Sequence, residues 1–170
     1  MQAATRGDGA VGQDAMPAAL HTNGLPLRVA KTEPFTVRGE LHITKVDFAT
    51  LNEERVAAGK AAMVTARNAA AGAARLTTGL AEQRLSFAAF QLIETDARIA
   101  VPEHSQAMQR LEEWGFGTVR PFSARGRTIE EALLLAEALH DERQALPYDT
   151  DGCVLKVDSF TVGSPAWLLL

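Results

Sequence analysis

A segment near the start of the chain, AATRGDGAVGQDA at residues 3–15, combines an arginine, two aspartates and three glycines. Such a composition is typical of a tight surface turn closed by aspartate side chains. A Ca²⁺ loop would use Asp8 and Asp14, but the EF-hand spacing and its terminal glutamate are absent. A backbone cradle for phosphate, with Arg6 as the charged clamp, is the remaining alternative. Spacing alone favours the plain turn.

A second charged group occurs in FTVRGELHI at residues 35–43, where apolar and polar residues alternate. The alternation predicts a half-buried strand whose polar face carries Arg38, Glu40 and His42. Arg38 and Glu40 lie one pleat apart, so they can point together into a cleft, although an ordinary surface ion pair explains them as well.

The elements that would position these residues are helices and strands without a regular βαβ alternation. We expect helices at residues 45–59 with Gly59 as the stop, between Arg67 and Arg75, from Ser105 to Gly115, and from Thr128 to about Leu146. We expect strands at residues 35–43, 85–93 and 151–160, and a short strand or extended lead-in at residues 24–30. The predicted fold class is α+β.

Composition narrows the class of protein further. The chain has 170 residues, of which 46% are hydrophobic and 22% charged, as in one ordinary globular domain. Its formal net charge of −4 gives no global basic field, although a local arginine cluster suffices to bind nucleic acid. The single cysteine, Cys153, excludes an internal disulfide and a Cys-rich zinc site. No apolar run is long enough to span a bilayer, and we predict a cytoplasmic location.

Four segments carry a family resemblance: ATRGDG, VRGEL, ARNAAAGAAR and DTDGCVLKVD, in this order. Together they resemble the adenylation (nucleotidyltransferase) domain of the bacterial NAD⁺-dependent DNA ligases. The similarity runs from residue 3 to about 160, and residues 161–170 are expected to be a divergent tail. The resemblance implies an α+β nucleotidyltransferase fold, here incomplete, with antiparallel sheets flanked by helices. It also implies nick sealing through lysyl-AMP and DNA-adenylate.

The same resemblance implies roles for individual residues around a nucleotide. Arg6 would contact NAD⁺ or adenylate, and Glu40 would be the nucleotide-contacting acid. Lys156 would face the transferred phosphate, with Asp151 as the acidic residue beside it. Phe90 stands where the family usually places a tyrosine against adenine. Cations placed where charge develops are the main catalytic device of nucleotidyl transfer, which suits these assignments.

DNA contacts and cofactors are implied in the same way. Arg67 and Arg75 would grip the DNA backbone near the nick, since guanidinium groups bind phosphate oxygens in a fork. Arg75 on its own also fits a helix C-terminus, and Lys156 on its own fits a solvated strand residue. The implied cofactors are NAD⁺ and Mg²⁺, with no residue assigned as a metal ligand, and the implied partner is nicked double-stranded DNA.

The sequence departs from the family pattern at the nucleophile. The family's lysine lies in a K-x-D-G motif before TRGDG, whereas Lys31, Lys45, Lys60 and Lys156 all lack that context. We therefore expect a domain truncated at both ends that does not form lysyl-AMP by itself, since covalent catalysis requires its nucleophile. Two alternatives stay open: a non-catalytic module that binds nucleotide or nicked DNA, and a fragment complemented in trans by a second ligase fragment.

Overall fold

The chain folds into two antiparallel sheets flanked by helices, as a computed structural model describes it for residues 1–8, 11–30, 33–94, 101–160 and 167–169. The predicted α+β class is confirmed. The helices are α1 (Met16–Ala19), α2 (Lys45–Ala57), α3 (Ala66–Ala73), α4 (His104–Glu113) and α5 (Ile129–Asp141). The strands are β1 (Phe35–His42), β2 (Ser86–Glu94), β3 (Ala124–Gly126), β4 (Leu155–Val157) and β5 (Trp167–Leu169).

The first sheet consists of β1 and β2, and its pairing is interrupted by a bulge. Arg38 pairs with Gln91 while Gly39 pairs with Ala89, so Phe90 is an extra residue on β2 without a partner on β1. Gly39 permits this arrangement, because a Cβ there would lie 2.2 Å from the Phe87 ring. Bulges bend a strand and redirect side chains. Phe90 is therefore directed by the bulge rather than by the regular pleat.

The second sheet has the strand order β3-β5-β4, with both pairings antiparallel. Helix α5 packs against it at β3, where the Gly126 Cα approaches so closely that a Cβ would lie 2.7 Å from the Ala132 amide nitrogen. Ala132 is fully buried in this contact. The sheet thus holds β4, which carries Lys156, on a short three-stranded platform.

Local signals in the sequence account for most helix ends. A threonine N-cap directly precedes each of the helices α2, α3 and α5. Its hydroxyl accepts a hydrogen bond from the backbone N–H three residues later: Thr44 from Asp47, Thr65 from Asn68 and Thr128 from Glu131. Glycines with positive φ follow α2 and α4, Gly59 at 71° and Gly115 at 89°. The predicted stops at these two glycines are confirmed.

Two apolar clusters form the core. One packs α1, α2 and α3 around the end of the first sheet, with the buried residues Ala18, Ile43, Leu51, Ala70, Ala73, Leu80 and Leu85. The other packs α4 on β2 through Ala89, Leu92, Ala107, Met108 and Leu111. Each buried leucine or methionine contributes about 1.5–3 kcal/mol relative to an exposed one. The contact between α4 and β2 therefore fixes the strand that carries Phe90.

Three predicted elements differ from the observed ones. The strand predicted at residues 151–160 extends only over Leu155–Val157, because the chain then turns to pair with the start of α4. Residues 24–30 form no strand and contain a turn at residue 24 and bends at residues 27 and 30, so the predicted strand is wrong there. Helix α5 ends at Asp141 and continues as a 3₁₀ turn over Glu142–Ala145. Within the described residues, no helix is both long and apolar enough to cross a bilayer.

Candidate functional site

Lys156 on β4 lies directly against Phe90 on β2. Its Nζ is 5.3 Å from the centre of the Phe90 ring and 3.5 Å from the Phe90 carbonyl oxygen. The side chain is half-buried, and this burial lowers the pKa of the Lys156 ammonium. Among the residues that the structure describes, no carboxylate forms an ion pair with Lys156. The site therefore presents a partly desolvated cation over an aromatic ring.

Glu40 lies on the exposed face of β1, opposite Ala88 on β2. It borders an aromatic group that joins β1 to the LPYDTDG segment: the His42 ring lies 4.9 Å from the Tyr148 ring, and Tyr148 lies 5.4 Å from Phe122. Burial lowers the pKa of His42 and raises that of Tyr148, while Glu40 acts on His42 in the opposite direction. Tyr148 and His42 were not predicted as site residues.

The glycine-rich segment at the N-terminus enters a turn at Gly7 and Asp8, in agreement with the turn that its spacing predicted, and residues 9–10 lie outside the described residues. Gly7 has a φ of 53°, and the Asp8 carboxylate accepts the Val11 N–H at 2.8 Å. Asp14 accepts the N–H of Met16 at the start of α1. Both aspartates are thus used by the backbone. The Arg6 side chain is exposed and makes no hydrogen bond or ion pair within the described part of the chain.

Arg67 and Asp151, which the resemblance assigned to different functions, form an ion pair with each other. Both side chains are largely exposed, so the pair contributes little to stability. Arg75 is exposed just beyond the end of α3, and its backbone N–H donates to the Gly72 carbonyl at 3.2 Å. The structure therefore brings together two pairs of predicted residues, Lys156 with Phe90 and Arg67 with Asp151. The convergence of Arg6, Glu40 and Lys156 on one hollow stays a prediction.

Sequence reasoning overlooked Asp158, two residues after Lys156. Its side chain is completely buried. The carboxylate accepts the Ser105 N–H at 2.7 Å and the Ser105 hydroxyl at 2.9 Å, and it pairs with Arg125 Nε at 2.9 Å. The KVD segment was quoted for the resemblance, but a buried aspartate is recognisable only through partners that are distant in sequence.

His104, the first residue of α4, is a second residue that sequence reasoning overlooked. It is almost fully buried, and its Nε2 has no hydrogen-bond partner among the described residues. Its ring packs edge-on against Phe160 at 6.0 Å. Burial and the positive charge of Lys156 lower the pKa of His104, whereas Asp158 raises it. The net lowering favours the neutral imidazole.

A groove of about 700 Å³ lies between α4 and the segment before β3. Its lining includes Ser105, Arg120 and Arg125 but none of the predicted site residues. Arg120 forms an ion pair with Glu112 at 2.6 Å, and Arg125 forms one with Asp158. Both guanidinium groups therefore already have a carboxylate counter-ion. The groove borders the partners of Asp158 rather than Lys156 itself.

The comparison with known families decides the assignment. The family model described as NAD-dependent DNA ligase adenylation domain matches residues 1–164. The chain belongs to this family. The resemblance that rested on four short segments is thereby confirmed.

Individual ligases agree with the family assignment. The chain is 35% identical over 99% of its length to a DNA ligase of Anoxybacillus flavithermus, covering 26% of that protein. It is 36% identical to the DNA ligases of Bacillus subtilis and Ligilactobacillus salivarius, with 99% and 96% of the chain matched. The chain spans about a quarter of the length of these relatives.

Proposed function

We propose that this chain binds the adenylyl group of NAD⁺ as the nucleotide-handling part of a DNA ligase that seals nicks. The observation that carries the proposal is the Lys156 ammonium, 5.3 Å from the centre of the Phe90 ring and without a carboxylate partner in the described residues. A half-buried cation that lacks an internal counter-ion fits a phosphate, because partial desolvation strengthens its attraction to an anion. Phe90 offers an aromatic face next to it.

The roles of the other residues follow from their position and type. Glu40 on β1 accepts hydrogen bonds from a ribose, and Arg6 adds a second cation from the N-terminal turn. NAD⁺ would supply the adenylyl group, and the family's acceptor for it is the K-x-D-G lysine, which these 170 residues lack. Lys156 would hold the negative charge of the adenylyl phosphate. Phe90 orients the base, although it lacks the hydroxyl of the family's usual tyrosine.

Magnesium fits the described residues less well. No group of three His, Cys, Asp or Glu side chains lies together in the described part of the chain. Mg²⁺ is commonly held by one or two carboxylates together with substrate phosphates. Glu40 is the carboxylate that could contribute a water-mediated contact, and we assign no catalytic step to the metal.

The K-x-D-G motif is absent from the 170 residues. We infer that this polypeptide alone does not form lysyl-AMP, because none of its lysines has the context of the family's nucleophile. Incubation with NAD⁺ labelled in the adenylate, followed by a denaturing gel, tests the inference. A labelled band at the mass of the chain contradicts it. A band that forms only after addition of a ligase fragment containing K-x-D-G supports complementation in trans.

Nucleotide binding is tested by calorimetry with AMP and with NAD⁺. We expect Lys156→Met to weaken AMP binding about 10-fold or more, the effect of losing a charge-assisted contact. Lys60→Met is the matched control, since Lys60 is exposed and distant in sequence from both sheets. Equal affinities for wild-type and Lys156→Met proteins would rule out the proposed site.

A non-catalytic module that binds nicked DNA is a second candidate. It is favoured by the exposure of Arg67 and Arg75 near the two ends of α3. Binding to nicked and intact duplexes across a range of salt concentrations separates this candidate from nucleotide binding alone. Arg75→Ala should weaken binding and lower the salt dependence, whereas Arg28→Ala, at another exposed position, should not. The cytoplasmic location and the domain limits at residues 3 and 160 stay predictions.

A further inference from the structure

The carboxylate of Asp158 is buried at the point where β4 meets α4. All of its described contacts are short: Ser105 N–H at 2.7 Å, Ser105 hydroxyl at 2.9 Å and Arg125 Nε at 2.9 Å. A charged group without solvent contact is costly unless hydrogen bonds and an opposite charge compensate it. The three contacts therefore compensate the burial of the Asp158 carboxylate in the observed arrangement.

Main-chain hydrogen bonds also connect the residues around Asp158 to the start of α4 and to the segment before it. The Asp158 carbonyl accepts the His104 N–H at 2.7 Å, and the Phe160 N–H donates to the Pro102 carbonyl at 2.8 Å. One main-chain bond to His104 and two side-chain bonds to Ser105 therefore join Asp158 to the first turn of α4. Phe160 bonds to Pro102 ahead of α4, and Arg125 on β3 adds the ion pair. The chain cannot shift along α4 without breaking several of them together.

A continuous path leads from this junction to Phe90. Helix α4 packs on β2 through Met108 and Leu111, which are almost fully buried against Ala89 and Leu92. Phe90 lies between those two β2 residues. Helix α4 thus holds the segment of β2 that contains Phe90, and it also holds the end of β4 through the contact of Ser105 with Asp158.

Asp158 lies close enough to Lys156 along the chain for the contacts of Asp158 to affect the position of the Lys156 side chain. Two residues of chain span at most about 7 Å, and Asp158 directly follows the last residue of β4. Lys156 reaches Phe90 across this short interval, with contacts of 5.3 Å to the ring and 3.5 Å to the carbonyl oxygen.

We propose that Asp158 is a positioning residue, which holds Lys156 over Phe90 by tying the end of β4 to Ser105 and Arg125. Its importance for adenylyl binding rests on the function proposed above, but the positioning itself does not. Arg125 is the discriminating partner, since Asn at position 158 could still accept from Ser105 but would turn an N–H group towards the Arg125 guanidinium.

The test is an NMR measurement on protein labelled in its lysines. Protons above an aromatic ring resonate upfield, so the Lys156 ε-CH₂ signal should lie upfield of the other lysine signals. Phe90→Leu should abolish that shift and thereby assign it to the ring. Asp158→Asn should also abolish the shift in a protein that remains folded by amide spectra, and should weaken AMP binding about 10-fold. Asp141→Asn, at an exposed position on α5, is the matched control.

The outcomes separate the two proposals. An upfield Lys156 signal that persists in folded Asp158→Asn protein overturns the positioning role, whatever the affinity for AMP. A signal lost in Asp158→Asn protein, with no AMP binding by the wild type, supports positioning and contradicts the proposed function. If Asp158→Asn protein does not fold, Arg125→Gln gives the decisive reading, because Arg125 is half-exposed and its loss removes the cation that compensates the buried Asp158 carboxylate. Persistence of the shift in Arg125→Gln protein then overturns the proposal.

Discussion

Lys156 and Phe90 join the two sheets of this protein, although 66 positions separate them in the sequence. Lys156 lies on β4 of the three-stranded sheet, and Phe90 occupies the bulge on β2 of the two-stranded sheet. The contact places a half-buried ammonium over an aromatic ring. The proposed nucleotide site rests on this contact, in a chain that belongs to the NAD-dependent DNA ligase adenylation domain family.

The affinity for AMP should depend on the protonation of Lys156. Burial lowers the pKa of its ammonium from the ordinary 10.5, so the positive charge is lost at a lower pH than in an exposed lysine. AMP affinity measured by calorimetry should therefore begin to fall while exposed lysines are still charged. Lys156→Arg should give a flatter profile, because arginine stays protonated throughout. Parallel profiles for the two proteins would show that Lys156 is not the titrating group.

Acid should destabilise the protein through His104. Its pKa lies below 6.5 in the folded state because of burial and Lys156, with Asp158 acting in the opposite direction. The unfolded chain therefore binds a proton first as the pH falls, and the stabilisation is complete above 6.5 and declines below it.

Urea unfolding at several pH values measures this effect. The free energy of unfolding should fall by up to about 1.4 kcal/mol per pH unit from this group alone. His104→Gln should remove that part of the slope, while His42, whose pKa is also lowered, contributes equally to both proteins and cancels in the difference. An unchanged slope in His104→Gln protein contradicts the account.

Two glycines should respond in opposite ways to replacement by alanine. At Gly39 a Cβ would lie 2.2 Å from the Phe87 ring and 2.6 Å from the Ala88 carbonyl oxygen, so we expect a loss of about 1–3 kcal/mol. At Gly72, within α3, a Cβ meets nothing within 4 Å, and alanine should stabilise the helix by about 0.5–1 kcal/mol. Thermal unfolding of both variants tests this contrast. If both substitutions stabilise the protein, or both destabilise it to a similar extent, the prediction is wrong.

The ion pair between Arg67 and Asp151 should matter for DNA binding and little for stability. Both side chains are exposed, so Arg67→Ala should change the free energy of unfolding by less than about 1 kcal/mol. The same variant should weaken binding to nicked duplex and lower the slope of log affinity against log salt by about one phosphate contact. Asp151→Asn, which frees Arg67, should not weaken DNA binding. A loss of stability with unchanged DNA affinity would show that the pair is structural.

Local signals predicted much of this fold. Thr128 marked the start of α5, Gly59 and Gly115 marked helix ends, and alternation of apolar residues marked β1. Each of these features depends on residues within one turn or one strand. For that reason the sequence shows them without knowledge of the tertiary structure.

Non-local contacts account for what the sequence did not show. The bulge at Phe90 depends on the register between β1 and β2, and the end of β4 depends on the bonds of Asp158 to His104 and of Phe160 to Pro102. In the sequence, Asp158 is indistinguishable from an ordinary polar strand residue. Its role becomes recognisable only in the structure, where Ser105 and Arg125 contact its carboxylate. The roles of Lys156 and Phe90 were predicted only through the family resemblance, and their mutual contact was not predicted.

The most direct test of the central claim is a titration of the protein with AMP, followed by NMR signals of the lysine side chains and of the phenylalanine rings. The account predicts that the Lys156 ε-CH₂ and Phe90 ring signals move together and saturate with one dissociation constant, while the Lys60 signal stays in place. Saturable binding that leaves the Lys156 and Phe90 signals unchanged, or no binding of AMP at all, would contradict it.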